Sequence, residues 1–383
     1  MTLITTTAEL EAFCARVRGE PYLTVDTEFM RDRTYYPKLC LVQVGAAAEA
    51  VAIDPLAPGI ALSPLSALLA DPAILKVMHA ARQDLEIFWR LDGRLPAPLF
   101  DTQIAAMVCG YGEEVGYETL VTRIARARID KSSRFADWAA RPLREAQLRY
   151  ALDDVIHLRT IYEALAAELE RTGRRAWLDD EHAVLLDPKN YETRPEDAWK
   201  RLKLRSREPR FVAIVQRLAA WREREAQARD VPRARVLRDE ILLELAAARP
   251  RDLDALRALP RLSLDRASAQ AVVETIREAM ALPPDALPRL EPPRSLPAHV
   301  GPLVDVLRML LKLRCEAERV APKMIAGTAE LEAIAQDDDA DVPALKGWRR
   351  KVFGEAALAM KHGRLAVTVR DRKVVLVEAG AAL

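Results

Sequence analysis

The hydrophobic period changes once along this chain, and that change limits the folds open to it. Through the first 120 residues apolar side chains fall in short runs suited to strands: Tyr22 to Phe29, Leu39 to Gly45, Ala50 to Asp54 and Leu75 to His79. Amphipathic segments separate them. TTTAELEAFCARV carries a threonine cap ahead of its helical pattern, and DLEIFWRL and DTQIAAMVCGY read as further helices. From about residue 140 the strand signal fades, and apolar residues recur at helical spacing as far as residue 360. The pattern predicts an α/β unit followed by an all-α half, and 383 residues suffice for two or three domains.

Proline-rich breaks divide the helical half, most plainly LPPDALPRLEPPRSLP at residues 282–297, which is expected to be a linker. An internal repeat flanks it. Val236, Leu242, Leu245, Ala246 and Leu256 recur 89 positions later as Ile325, Leu331, Ile334, Ala335 and Leu345, and Pro232 has a near-counterpart in Pro322. Two copies of one small helical bundle are expected. The chain finishes with LAVTV, RDRK and VVLVE, a hairpin pattern closing the second copy.

Half the residues are hydrophobic, 30% are charged, and 58 Lys and Arg stand against 57 Asp and Glu, which excludes a disordered chain. No apolar run reaches bilayer-spanning length and MTLITTTAELEAF is no secretory leader, so a cytoplasmic location is expected. Cys14, Cys40, Cys109 and Cys315 lie far apart without a CxxC pair, which argues against a zinc site or a disulfide framework. Near-neutral charge conceals local excesses. Residues 199–210 hold six basic side chains and one acid, and residues 122–149 hold eight against three. Such patches either track a phosphate backbone or form solvated helix faces.

VDTEF, residues 25–29, places Asp26 and Glu28 two apart on a strand, so both side chains point to one face of the sheet. Two carboxylates held that close raise each other's pKa unless a cation or water intervenes, so they are either a solvated face or half of a metal site. Further acids lie downstream. Asp84 falls in the first turn of a helix after KVMHAA, where the helix dipole alone would favour it. In REAQLRYALDDVIHL, Tyr150 and Asp154 lie four apart on one helical face, a spacing that also suits a surface pair; Asp153 lies about 100° round the helix.

Taken together, Asp-x-Glu, Asp and Tyr-x-x-x-Asp in this order are more specific than any one of them. VDTEF with RTYYPKLCLVQVG, HAARQDLEIF, FDTQIAAMVCGYG and RYALDDVIHL resemble the DEDD superfamily of 3′-to-5′ exonucleases, in its tyrosine subgroup, and within it the ribonuclease D family. AAWREREAQARDVPRARVLRDEILLELA resembles the HRDC domain, a small helical module of ribonuclease D and RecQ-type helicases, and ERVAPKMIAGTAELEAIA looks like a second, more divergent copy. The organisation this implies is an exonuclease domain over residues 1–170 with a ribonuclease H-like mixed sheet flanked by helices. A basic helical connector would follow at 171–207, then a first HRDC bundle at 208–285, a linker at 286–297 and a second HRDC-like bundle with its hairpin at 298–383.

The resemblance implies hydrolysis of phosphodiester bonds with two divalent ions, Mg²⁺ or Mn²⁺, releasing 5′-nucleoside monophosphates from RNA with a free 3′ end, tRNA precursors being the natural substrate. It would have Asp26 bridge both ions, Glu28 and Asp154 complete the first, Asp84 support the second through water, and Tyr150 orient the attacking water. His79 and His157 read as neighbours rather than ligands. Phe29 suits the terminal base or ribose, or the core. Arg82 and Gln83 suit phosphate, and Trp138 in SRFADWAARPL suits the scissile end or simple packing. A DNA exonuclease with the same acids and a non-catalytic RNA-binding scaffold are the alternatives; the latter would lack an acid, and all four are present.

Overall fold

The computed structural model describes residues 2–260, 262–290, 297 and 300–379. Its N-terminal part is a three-layer α/β/α unit. The strands are β1 (Thr2–Ile4), β2 (Tyr22–Met30), β3 (Lys38–Gly45), β4 (Ala50–Ile53), β5 (Leu75–Met78) and β6 (Leu99–Asp101). They form one mixed sheet of order β1-β4-β3-β2-β5-β6, in which β3 is antiparallel to β2 and β4 and the other pairs are parallel. Helices α1 (Thr7–Val17), α2 (Ser63–Leu69) and α3 (Arg82–Asp92) cover one face of the sheet. The other face is covered by α4 (Thr102–Val108) and the long α6 (Glu145–Thr172), with the short α5 (Tyr117–Leu120) beside them.

The pleat of β2 sorts its side chains between these layers. Leu23 and Val25 enter the apolar layer beneath α1 to α3, so Thr24, Asp26 and Glu28 face the opposite side, under α6. The register of β2 with β3 slips between Glu28 and Phe29, a bulge that ends regular pairing just past the second acid. The four strands expected from the sequence are present. Strands β1 and β6 are three residues each, too short to show a period, and they exist through pairing with β4 and β5.

The rest is helical. Helix α7 (Asp179–Leu185) leads into a first bundle of α8 (Pro209–Arg229), α9 (Arg233–Val236), α10 (Asp239–Ala248), α11 (Leu253–Arg257) and α12 (Arg266–Met280). The second contains α13 (Val300–Glu318), α14 (Thr328–Gln336), α15 (Gly347–Arg349) and α16 (Glu355–Lys361). All ten residues of the 89-residue repeat are buried, and Asp230 and Arg319, also 89 apart, both take positive φ just after the long first helix of each bundle. Strands β7 (Leu365–Arg370) and β8 (Lys373–Glu378) form the expected hairpin, with Asp371 and Arg372 at positive φ in its turn. Residues 291–296 of the expected linker lie outside the described residues. No helix among the described residues is long and apolar enough to cross a membrane.

The two bundles attach differently. The second shares one apolar core with α4 and α6, and its edge is fixed by the Ala321 N–H donating to the Met107 carbonyl at 2.9 Å and by Trp177 stacked on Trp348 at 4.1 Å. The first keeps its own core and grips the β2–β3 loop by polar contacts. Glu223, fully buried, accepts the Tyr35 hydroxyl and a bidentate Arg233 pair, while Asp230 accepts the Tyr35 and Tyr36 N–H groups at 3.1 Å.

Candidate active site

Two short-range devices bring α6 down onto β2. The Thr24 hydroxyl lies 2.8 Å from the Val155 carbonyl oxygen and 3.2 Å from that of Gly45. Gly45 stands opposite Thr24 in the β2–β3 ladder, and a Cβ there would collide with Thr24 Oγ1 and sit 3.2 Å from the Val155 carbonyl. Glycine is therefore what permits the helix to approach so closely, and the residue before the pinned Val155 is Asp154. The result is that Asp26, Glu28 and Asp154 each offer a carboxylate oxygen within 4.8 Å of the others.

Asp84 reaches the same end of β2 from the other layer. It stands in the first turn of α3, 7% exposed, and accepts the Thr27 hydroxyl. The start of α3 is fixed by the buried Asp101, whose carboxylate accepts the Ala80 and Ala81 N–H groups at 3.1 and 2.8 Å and caps α4 through the Gln103 N–H at 2.8 Å. Asp84 thus stands outside the three-carboxylate group, held by Thr27, yet it is coupled to it by charge: Asp26 raises its pKa, and it in turn raises that of Glu28.

The electrostatics are those of a site short of positive charge. Burial first, then Asp154, pushes Asp26 up to about 8. Glu28 goes up to about 10 by burial, then by Asp26, Asp154 and Asp84. Asp154 goes to about 7 by burial and then Asp153. Without a cation these carboxylates compete to hold protons. An all-oxygen donor set of this kind fits a hard divalent ion, and no histidine or cysteine belongs to the group.

Tyr150 is half-buried, and burial followed by the three acids raises its pKa, so the phenol stays protonated at neutral pH. It lines a cavity of about 290 Å³ with Asp26 and Asp154, which also takes in His79, Tyr117 and Arg134. These last three were not singled out as site residues from the sequence. The Tyr117 hydroxyl donates to the Asp154 carbonyl at 2.5 Å, fastening α5 to the turn of α6 that carries Asp154. His79 has Nδ1 2.9 Å from Thr102 Oγ1, and burial holds its pKa below the usual range, so a neutral imidazole faces the cavity.

The remaining sequence candidates lie apart from the cavity. Trp138 is 2% exposed and packs behind Tyr150, their ring centroids 6.1 Å apart. Phe29 is half-buried against the layer beneath α1 to α3, with the Arg31 guanidinium 5.9 Å above its ring. Arg82 and Gln83 are exposed on the first turn of α3. His157 is half-buried and outside the cavity lining.

A family model described as 3′-5′ exonuclease matches residues 1–170, and the HRDC domain model matches residues 212–270. The chain is 49% identical to the ribonuclease D of Gluconacetobacter diazotrophicus, over 97% of this chain and 95% of that one. To the ribonuclease D of Jannaschia sp. it is 51% identical, over 98% and 99%. Among solved structures, Escherichia coli RNase D, described as an exoribonuclease involved in structured RNA processing, superposes with a TM-score of 0.80 at 32% identity, covering 94% of this chain and 98% of that one.

Proposed function

The chain belongs to the ribonuclease D family and is a 3′-to-5′ exoribonuclease, and on that premise we propose that Asp26, Glu28, Asp84 and Asp154 hold two divalent cations, Mg²⁺ or Mn²⁺, with cytoplasmic tRNA precursors as the RNA trimmed. The observation that carries the metal assignment is the convergence of Asp26, Glu28 and Asp154 within 4.8 Å, with their pKa values driven upward by burial and by one another. Such a group is unstable as bare carboxylates at neutral pH and stable against cations. Divalent ions bound there would supply charge neutralisation, a lowered pKa for water and support for the leaving oxygen.

The chain's own groups do the rest. A water attacks phosphorus in line as the bond to the 3′ oxygen of the preceding nucleotide breaks, releasing a nucleoside 5′-monophosphate. Tyr150, protonated and beside Asp154, orients that water by hydrogen bonding, since a phenol with a raised pKa is no base. The cavity of about 290 Å³ accommodates the terminal nucleoside, with neutral His79 and the Tyr117 ring as walls. Hydrolysis belongs to residues 1–170 in this reading; the basic connector 171–207 and the bundles 208–285 and 298–383, joined by 286–297, supply phosphate contacts.

The test is an assay of 3′-labelled precursor tRNA, unstructured RNA and matched DNA with Mg²⁺, Mn²⁺ or chelator. Trimming of precursor tRNA that needs either ion is expected. Activity that survives chelation would remove the metal assignment, and indifference between precursor and unstructured RNA would remove the substrate assignment.

A further inference from the structure

Phe135 stands in solvent at 91% exposure, the most exposed large apolar side chain among the described residues. It does so on anchored backbone. Ser133 is 2% exposed and its carbonyl accepts the Ala136 N–H at 3.0 Å. On the other side Trp138 is equally buried, and Arg141 donates to the Trp138 and Cys40 carbonyls at 2.7 Å and to both oxygens of Asp54 at 2.6 and 2.7 Å. The segment between these anchors presents the ring outward where burial would have been favourable.

The residue beside it, Arg134, borders the candidate site's cavity. Arg134 lines that cavity with Asp26, Tyr150 and Asp154, and its guanidinium carbon lies 5.3 Å from the Phe135 ring centroid. Arg126 and Arg128, a short helical turn earlier in the chain, are exposed, and Ile129 after them lines the cavity again. A ring beside the Arg134 guanidinium, next to a nucleotide-sized cavity and on a segment with further exposed arginines, combines the two elements of single-strand recognition: a face on which any base can stack, and charge that follows the phosphates.

We propose that Phe135 is a stacking platform for a base of the RNA strand just outside the cavity, with Arg126, Arg128 and Arg134 taking neighbouring phosphates. This assignment rests on the exoribonuclease reading and adds the contact that holds the strand beyond the terminal nucleotide. Phe135 is a positioning residue: it touches substrate away from the reacting atoms, so its loss weakens binding and leaves the chemical step alone.

The experiment compares the full-length protein with Phe135→Ala and Phe135→Trp on short RNAs carrying one abasic residue at successive positions from the 3′ end. Turnover is read with Mg²⁺, and binding by fluorescence anisotropy in chelator over a range of salt. Phe135→Ala is expected to raise KM and Kd about ten-fold, as loss of one base–aromatic stack does, with kcat within about two-fold. Phe135→Trp should restore binding. One abasic position should cost the unmodified protein the same factor and cost Phe135→Ala nothing more. The salt slope should be unchanged, because no phosphate contact is lost.

Unaltered binding in Phe135→Ala overturns the assignment, as does an equal loss on every abasic RNA. A reduced salt slope, which would mean a displaced loop, overturns it too, as does a change in oligomeric state, which would make the ring a protein contact. Since binding is read in chelator, absent turnover in the unmodified protein would count against the exoribonuclease reading while stacking is still decided.

Discussion

Asparagine at position 26 keeps the shape of aspartate and removes its charge, and the consequence for stability has the opposite sign to that for catalysis. In the cation-free protein Asp26 is pushed up to about 8, by burial and then by Asp154, whereas an aspartate in an unfolded chain titrates near ~3.9. The folded pKa lies above the unfolded one. Between about pH 4 and pH 8 the folded state therefore binds more protons than the unfolded state, and stability falls as pH rises across that window. The full difference would be roughly 5 kcal/mol, a ceiling, because the cavity admits water and Asp154 shares the proton. A net gain of about 1–2 kcal/mol is expected for Asp26→Asn, or ~2–4 °C in Tm. Thermal melts in chelator should show no gap between variant and unmodified protein near ~pH 4 and a widening advantage for the variant up to ~pH 8. Saturating Mg²⁺ should erase that advantage by stabilising the unmodified protein more, since a cation that binds only the folded state adds RT ln(1 + [L]/Kd). Hydrolysis should be abolished in the same variant with RNA binding within a few-fold. An Asp26→Asn protein less stable than the original at high pH without metal, or a gap independent of pH, would refute the reasoning.

Three further outcomes follow from the geometry. Gly45→Ala inserts a methyl group between Thr24 and Val155, which displaces α6 and Asp154; kcat should fall about 100-fold, the usual cost of misplacing a catalytic group by ~1 Å, with RNA affinity nearly intact. Tyr150→Phe should lower kcat about 100-fold with a smaller effect on Kd, and an equal loss in both would point to a structural role. Glu223→Ala leaves Arg233 and Tyr35 without their buried acceptor; a loss of roughly 3–5 kcal/mol is expected, seen as an early calorimetric transition of the first bundle.

Much of the candidate site's geometry was legible in the sequence because its determinants are local. Two-residue alternation puts Asp26 and Glu28 on one face of a strand, and a four-residue step puts Tyr150 beside Asp154 on one face of a helix. The 89-residue repeat likewise marked ten positions that are all buried, since burial on an amphipathic helix leaves its own period. Trp138 shows the limit of such reasoning. Its place before the last motif suited a substrate contact, but burial against Tyr150 depends on the path of the loop through Arg141 and Asp54, which no spacing encodes.

What the sequence alone determined, then, is which side chains share a face, where strands give way to helices, and which acids are present. Tertiary structure decided everything that depends on two distant segments touching. It drew α6 onto β2 through Thr24, Gly45 and Val155, brought Tyr117 and His79 to the cavity, set Asp84 against Thr27, and merged the second bundle with the core of the first 170 residues while leaving the other bundle its own. The division has a physical reason: backbone geometry fixes the direction of a side chain within a few residues, but distances between segments are set by close packing of the whole interior, where one missing methyl group at Gly45 determines how near a helix can come.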